Sequence, residues 1–126
     1  MAKILLAEDD TFLATVVMGE LSKEHETRRV PDGEQVFLVL EHWQPDLIVL
    51  DLLMPNMDGF QVLERLKQDP SRSSIPVLVL TNLGSREDLE RAKKAGAAET
   101  IVKVDFTPQQ LHQRINLFIS QGLKKT

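Results

Sequence analysis

The chain has 126 residues, with 15 Lys and Arg against 19 Asp and Glu, a formal charge of -4 and no cysteine. That length suits one domain around one core, and the acidic balance speaks against general nucleic-acid binding, which needs a basic face. Disulfides and thiol chemistry are excluded, no apolar run approaches the ~18 residues of a membrane span, and the short apolar start meets acids at once, unlike a secretory signal.

A first strand is predicted at residues 3–7, where Ile4-Leu5-Leu6-Ala7 runs into Glu8-Asp9-Asp10. Asp10 or Thr11 caps the helix that follows, with Leu13, Val16, Val17 and Leu21 as its apolar stripe. Residues 27–30 form a short strand whose Arg28 and Arg29 suit a sheet edge. Asp32-Gly33 opens a second helix with Val36, Val39, Leu40 and Trp43 inward, and Pro45-Asp46 closes it. The strand at 47–51, Leu47-Ile48-Val49-Leu50, ends in Asp51.

A third helix is predicted over 58–68, with Asp58-Gly59 as cap and turn and Asp69-Pro70-Ser71 as its stop. The strand at 77–80 leads into Thr81. Ser85, with Asp88 three residues on, starts a fourth helix that ends at Lys93-Lys94-Ala95-Gly96, cations in its last turn and glycine after it. A fifth strand at 100–103 ends in Lys103. Thr107-Pro108-Gln109-Gln110 is a capping box with proline at the first helical position, and Leu111, Ile115 and Phe118 face inward. The tail from Gly122 to Thr126 is expected to fray.

Five alternations of strand and helix predict an α/β fold with a parallel sheet, because parallel strands need crossover helices. The polar second strand belongs at an edge, which fits the flavodoxin-like order 2-1-3-4-5. The ligand crevice of such a sheet lies outside the strand carboxyl ends. Glu8, Asp9, Asp51, Thr81 and Lys103 therefore converge there. Two unit charges ~5 Å apart repel by roughly 3 kcal/mol at an effective dielectric of ~20, so crowded acids call for a cation. A hard ion such as Mg²⁺ satisfies them and bridges to a phosphoryl oxygen. Asp51 can then attack phosphorus and hold it as an aspartyl phosphate, while Lys103 and the Thr81 hydroxyl meet the other oxygens.

The ordered set of Glu8-Asp9, Asp51-x-x-Met54-Pro55-x-x-Asp58-Gly59, Thr81 and Lys103 resembles the receiver domain of two-component response regulators, across essentially the whole chain. The resemblance implies that Asp51 is phosphorylated by a sensor histidine kinase, a histidine phosphotransfer protein or a small phosphodonor such as acetyl phosphate. It implies Mg²⁺ bound by Asp9 and Asp51 directly, by Glu8 through water and by the Leu53 backbone carbonyl. Thr81 and Lys103 would sense the phosphoryl group and shift the face made by the fourth helix, fifth strand and fifth helix, signalling to a downstream protein. Such a domain promotes only its own phosphorylation and dephosphorylation. We expect a single cytoplasmic receiver domain over residues 1–126, with no output domain, no membrane contact and no nucleic-acid partner.

Two positions depart from the family pattern. Thr100 stands where an aromatic residue usually reports phosphorylation, and Val104 replaces the proline that usually follows the lysine, so a trans Lys103–Val104 bond is expected. These changes leave a second reading open, a pseudo-receiver that binds partners independently of phosphorylation. Leu53 and Asn82 border the site of the attacking water. A haloacid-dehalogenase-type hydrolase fits poorly, since Leu53 stands where a second Asp is needed, and a flavin site fits poorly because acids follow the first strand. His25, His42 and His112 are expected far apart on helix ends or faces, forming neither a kinase-like histidine nor a metal site. Arg91, Lys93 and Lys94 read as a solvated face, or as a surface for an acidic partner.

Overall fold

Apolar runs of four or five residues become strands here because helices cover both faces of the sheet they build. The computed structural model describes residues 1–122, and the expected fraying of the tail past Gly122 lies outside them. In chain order the elements are β1 (Lys3–Ala7), α1 (Thr11–Leu21), β2 (Glu26–Val30), α2 (Gly33–Leu40), β3 (Leu47–Leu50), α3 (Gly59–Gln68), β4 (Val77–Thr81), α4 (Arg86–Lys94), β5 (Glu99–Val102) and α5 (Pro108–Ser120). The sheet order is β2-β1-β3-β4-β5 with every pairing parallel, the predicted flavodoxin-like arrangement.

Successive strand residues point to opposite faces, so β1, β3 and β4 each feed two cores. Leu5, Ile48, Leu50, Val77 and Val79 meet Val36, Phe37, Phe60, Val62 and Leu63 from α2 and α3. Ile4, Leu6, Leu47, Val49 and Leu78 meet Ala14, Val17, Leu21, Leu111, Ile115 and Phe118 from α1 and α5. Each fully buried Leu, Ile or Phe contributes about 1.5–3 kcal/mol relative to exposure. β2 alternates exposed and half-buried side chains before ending on buried Val30, as an edge strand does. No helix among the described residues is long and apolar enough to cross a membrane.

The caps follow the sequence. Asp10, Asp32, Asp58, Ser85 and Thr107 each accept a backbone N–H of the helix they open, with reciprocal capping boxes at Asp58–Gln61 and Thr107–Gln110. Asp58 stands just outside its helix as the cap. Trp43 is buried, donates from Nε1 to Glu26 Oε2 at 3.2 Å, and carries the Arg28 guanidinium 4.5 Å above its ring.

Three expectations are corrected. Val16 is exposed, and the buried line of α1 is Ala14, Val17 and Leu21, because Val16 lies one residue's rotation, roughly 100°, off the inward face. Lys103 falls past the end of β5, in a single turn of 3₁₀ helix over Lys103–Asp105. His25 and His112 are not apart: their ring centroids lie 5.9 Å from each other, because α1 and α5 pack side by side on one face of the sheet. The Lys103–Val104 bond is trans, as expected.

Candidate functional site

Four strands end at one edge of the sheet, and each places a polar residue there. Glu8 and Asp9 follow β1, Asp51 follows β3, Thr81 ends β4, and Lys103 follows β5. The register brings them level, since Ala7 pairs with Leu50 and Thr81 with Val102. The ladder continues one residue past the strands, with Asp51 N–H donating to the Ala7 carbonyl at 3.0 Å and Glu8 N–H to the Val30 carbonyl at 3.0 Å.

One carboxylate oxygen each from Glu8, Asp9 and Asp51 lie within 4.8 Å of one another, with Glu8 and Asp51 buried and Asp9 exposed. At that spacing paired charges repel by roughly 3 kcal/mol, so the cluster needs positive charge. Lys103 supplies it: Nζ lies 2.8 Å from Asp51 Oδ2 and 2.6 Å from Glu8 Oε1. The Asp51 contact is a hydrogen bond. Glu8 Oε1, although so near, has no well-directed donor among the described residues. Burial works against the charge on Lys103, but its close pairing with the Asp51 and Glu8 carboxylates outweighs that and holds its pKa above the ordinary value. Burial pushes the Glu8 carboxyl up to about 6, against the pull of Lys103 and the Asp10 amide, and repulsion from Asp51 adds to the rise.

The remaining oxygen of Asp51, Oδ1, accepts the Leu53 N–H at 3.1 Å, and the Leu53 side chain is exposed at the mouth. Thr81 is fully buried, and its Oγ1 accepts the Leu83 N–H at 3.1 Å, which ties the β4 end to the loop before α4. All six predicted site residues thus lie at one edge, with Thr81 adjoining the cup through its strand pairing. Asp10 serves as the α1 cap and gives its N–H to Glu8 Oε2 at 3.1 Å.

Two positioning residues escaped the sequence reading. Arg29 donates from Nε and Nη2 to the Glu8 carbonyl at 2.9 and 2.7 Å, pinning the acidic turn from the edge strand. The arginine in an otherwise short strand beside β1 was its only signal. Gly59 begins α3 directly beneath the Asp51 turn, where an added Cβ would fall 2.5 Å from the Asp51 carbonyl oxygen. The Asp58-Gly59 pair was read as a turn; its glycine is there for a close backbone approach.

A hard divalent cation suits this donor set, three carboxylates with no nitrogen or sulfur ligand and one poorly satisfied buried oxygen on Glu8. Such a cup can bind a cation, offer a nucleophilic carboxylate and present an amine and a hydroxyl to a phosphoryl group.

Comparison with known proteins agrees. The family model described as response regulator receiver domain matches residues 4–116. A gliding motility regulatory protein of Myxococcus xanthus is 36% identical over 114 residues, covering 89% of this chain and 15% of that protein. The DNA-binding dual master transcriptional regulator RpaA of Synechocystis is 32% identical over 120 residues, 94% of this chain and 49% of that protein. The chain therefore spans half or less of the length of these relatives. Among solved structures, the receiver domain of a Francisella response regulator superposes with a TM-score of 0.86 at 26% identity, covering 97% of this chain and 99% of that one. The phosphorylated cyanobacterial phytochrome response regulator RcpA gives 0.84 at 29% identity, with 99% and 96% covered. The Mn²⁺-bound form of response regulator Rcp1 gives 0.81 at 27% identity, with 100% and 97% covered. With the acidic cup, the amine and the hydroxyl at the carboxyl edge of a 2-1-3-4-5 sheet, the chain belongs to the response regulator receiver domain family of two-component signal transduction.

Proposed function

We propose that Asp51 is the phosphoacceptor of this receiver, and that its phosphorylation switches contacts with another protein. The observation that carries this is the setting of the Asp51 carboxylate, buried at the end of β3 between Lys103 Nζ at 2.8 Å and the Leu53 N–H at 3.1 Å, with Glu8 and Asp9 alongside. An Asp51 oxygen forms the new bond to phosphorus as the bond to the donor's imidazole nitrogen, or acyl oxygen, breaks and its electron pair leaves with the donor. Lys103 holds the carboxylate in place and then meets a phosphoryl oxygen. The Thr81 hydroxyl, while accepting the Leu83 N–H, donates its own proton to another, which draws the loop before α4 toward the cup.

Receiver domains of this family are signalling domains that bind a divalent metal and interact with histidine kinases or phosphotransfer proteins. For this chain we propose Mg²⁺, held by Asp9, Asp51 and the Leu53 carbonyl and by Glu8 through water. That ion would neutralise charge on the transferring phosphoryl group. The proposed donors are a sensor histidine kinase, a histidine phosphotransfer protein or a small phosphodonor such as acetyl phosphate. The proposed setting is the cytoplasm, and the proposed catalytic scope is the domain's own phosphorylation and dephosphorylation. Residues 1–126 would act as one receiver unit.

The test is incubation with acetyl phosphate and Mg²⁺ followed by intact mass and hydroxylamine treatment. A single labile phosphoryl adduct, absent in Asp51→Asn, is the expected result; an adduct that survives in Asp51→Asn overturns the assignment. Thr100 and Val104 motivate the second reading, constitutive partner binding, because β5 carries no aromatic reporter and Val104 is 78% exposed beside the cup. Partner binding and signalling untouched by Asp51→Asn would favour it.

A further inference from the structure

The amino-terminal edge of the sheet, opposite the acidic cup, carries a second cluster of ligand-type side chains that phosphorylation does not use. His112 reaches from α5 to the end of α1 and is 6% exposed; His25, in the turn before β2, is 8% exposed. Their rings meet edge to face, centroids 5.9 Å apart and planes at 77°. One ligand atom each from Glu24, His25 and His112 lie within 4.8 Å of one another.

The hydrogen bonds around His112 fix which nitrogen is free. Nδ1 lies 3.1 Å from Glu20 Oε1. An ionised Glu20 carboxylate can only accept, so this contact assigns the ring proton to Nδ1. A carboxylate behind the far nitrogen is how metal-binding histidines are oriented. The other nitrogen, Nε2, is buried and makes no hydrogen bond among the described residues, although Glu24 Oε1 lies 3.1 Å away. That oxygen also accepts the Asn116 Nδ2–H at 3.2 Å, and a neutral imidazole nitrogen facing it would set lone pair against lone pair unless a shared proton or a cation lies between them. Two ligand atoms each about 2.0–2.1 Å from a tetrahedral ion stand roughly 3.3 Å apart, close to the observed separation.

We propose that His112 Nε2, the Glu24 carboxylate and a His25 ring nitrogen form a second cation site for a divalent ion of the zinc class. Two imidazoles and one carboxylate favour Zn²⁺ over Mg²⁺, which prefers oxygen, and leave a fourth position for water. Glu24 is exposed, so the ion enters from solvent. His25 must rearrange to join: its Nδ1 accepts the Ala2 N–H at 3.0 Å and its Nε2 lies 2.7 Å from Asn116 Oδ1. Ligation through Nε2 moves the ring proton to Nδ1 and frees both Asn116 and the Ala2 amide. That movement gives the site a signature of its own.

The experiment is calorimetric titration of the untagged full chain with ZnCl₂ in excess Mg²⁺, paired with amide chemical-shift mapping. One equivalent with a Kd of ~1–10 µM is expected, weakened about ten-fold or more in Glu24→Gln and His112→Gln and unchanged in Asp51→Asn. The Ala2 amide should shift on binding. Glu24→Gln alters an exposed side chain and keeps the test valid if His112→Gln fails to fold. No saturable binding, binding undiminished in Glu24→Gln, or loss in Asp51→Asn would each overturn the proposal, the first pointing to a shared proton and the last to an ion in the acidic cup.

Discussion

Lys103 and Asp51 stand 52 residues apart in the chain and 2.8 Å apart at Nζ and Oδ2. The same ammonium lies 2.6 Å from Glu8, so one amine serves two buried carboxylates. Lys103→Met leaves both without it. Breaking a buried pair in this way costs about 3–5 kcal/mol, and urea unfolding in cation-free buffer at neutral pH should show that loss. Added Mg²⁺ should restore part of it, because the ion takes over the charge of the missing amine.

Stability should also depend on pH through Glu8, whose folded pKa is raised from 4.5 to about 6. Between those values the folded protein keeps a proton that the unfolded chain has lost, so stability falls as pH rises through the window. The shift of about 1.5 units corresponds to roughly 2 kcal/mol, fully lost above about pH 6. Other carboxyls titrate nearby, so the measurement is the difference between wild type and Glu8→Gln across pH 4–7. A divalent cation should flatten that difference by favouring the ionised carboxylate. A difference of the opposite sign in cation-free buffer would refute the assignment.

Two glycines should respond oppositely to alanine. At Gly59 the new Cβ would lie 2.5 Å from the Asp51 carbonyl oxygen and 2.7 Å from Leu52 Cα, both backbone atoms that cannot step aside. Gly59→Ala should cost about 1–3 kcal/mol and slow phosphorylation by displacing the Asp51 turn. Gly19 sits inside α1 with nothing within 4 Å of that position, so Gly19→Ala should stabilise by about 0.5–1 kcal/mol and leave phosphorylation alone. Chemical denaturation and phosphorylation rates measured on both variants check this.

Thr81→Ala removes the acceptor of the Leu83 N–H and should cost about 1 kcal/mol. Its larger effect should be on transmission. Beryllofluoride should shift amides of α4 and its preceding loop in wild type and leave them unshifted in Thr81→Ala, while phosphorylation at Asp51 persists. Shifts in α4 that survive the substitution would place transmission elsewhere.

The sheet was legible because its strands are short, continuous apolar runs, and its order followed from one polar strand, Glu26–Val30. The cup was legible because each of its side chains directly follows such a run. What stayed hidden was contact across the sequence. Arg29 reaches the Glu8 carbonyl only because β2 lies beside β1, and His25 meets His112 only because α1 and α5 share a face. Val16 misled because valine at that spacing is compatible with the buried stripe, while the small side chain that takes the inward place is Ala14.

Trp43 is the sole indole in a chain without tyrosine, and its stacking with Arg28 and bond to Glu26 anchor it where β2 begins, at the opposite end of the strands from Asp51. Ultraviolet emission from this protein is therefore blind to direct quenching in the cup. A change in that emission when Asp51 is loaded would be a relayed signal, and its time course would clock how quickly the sheet carries news from one end to the other.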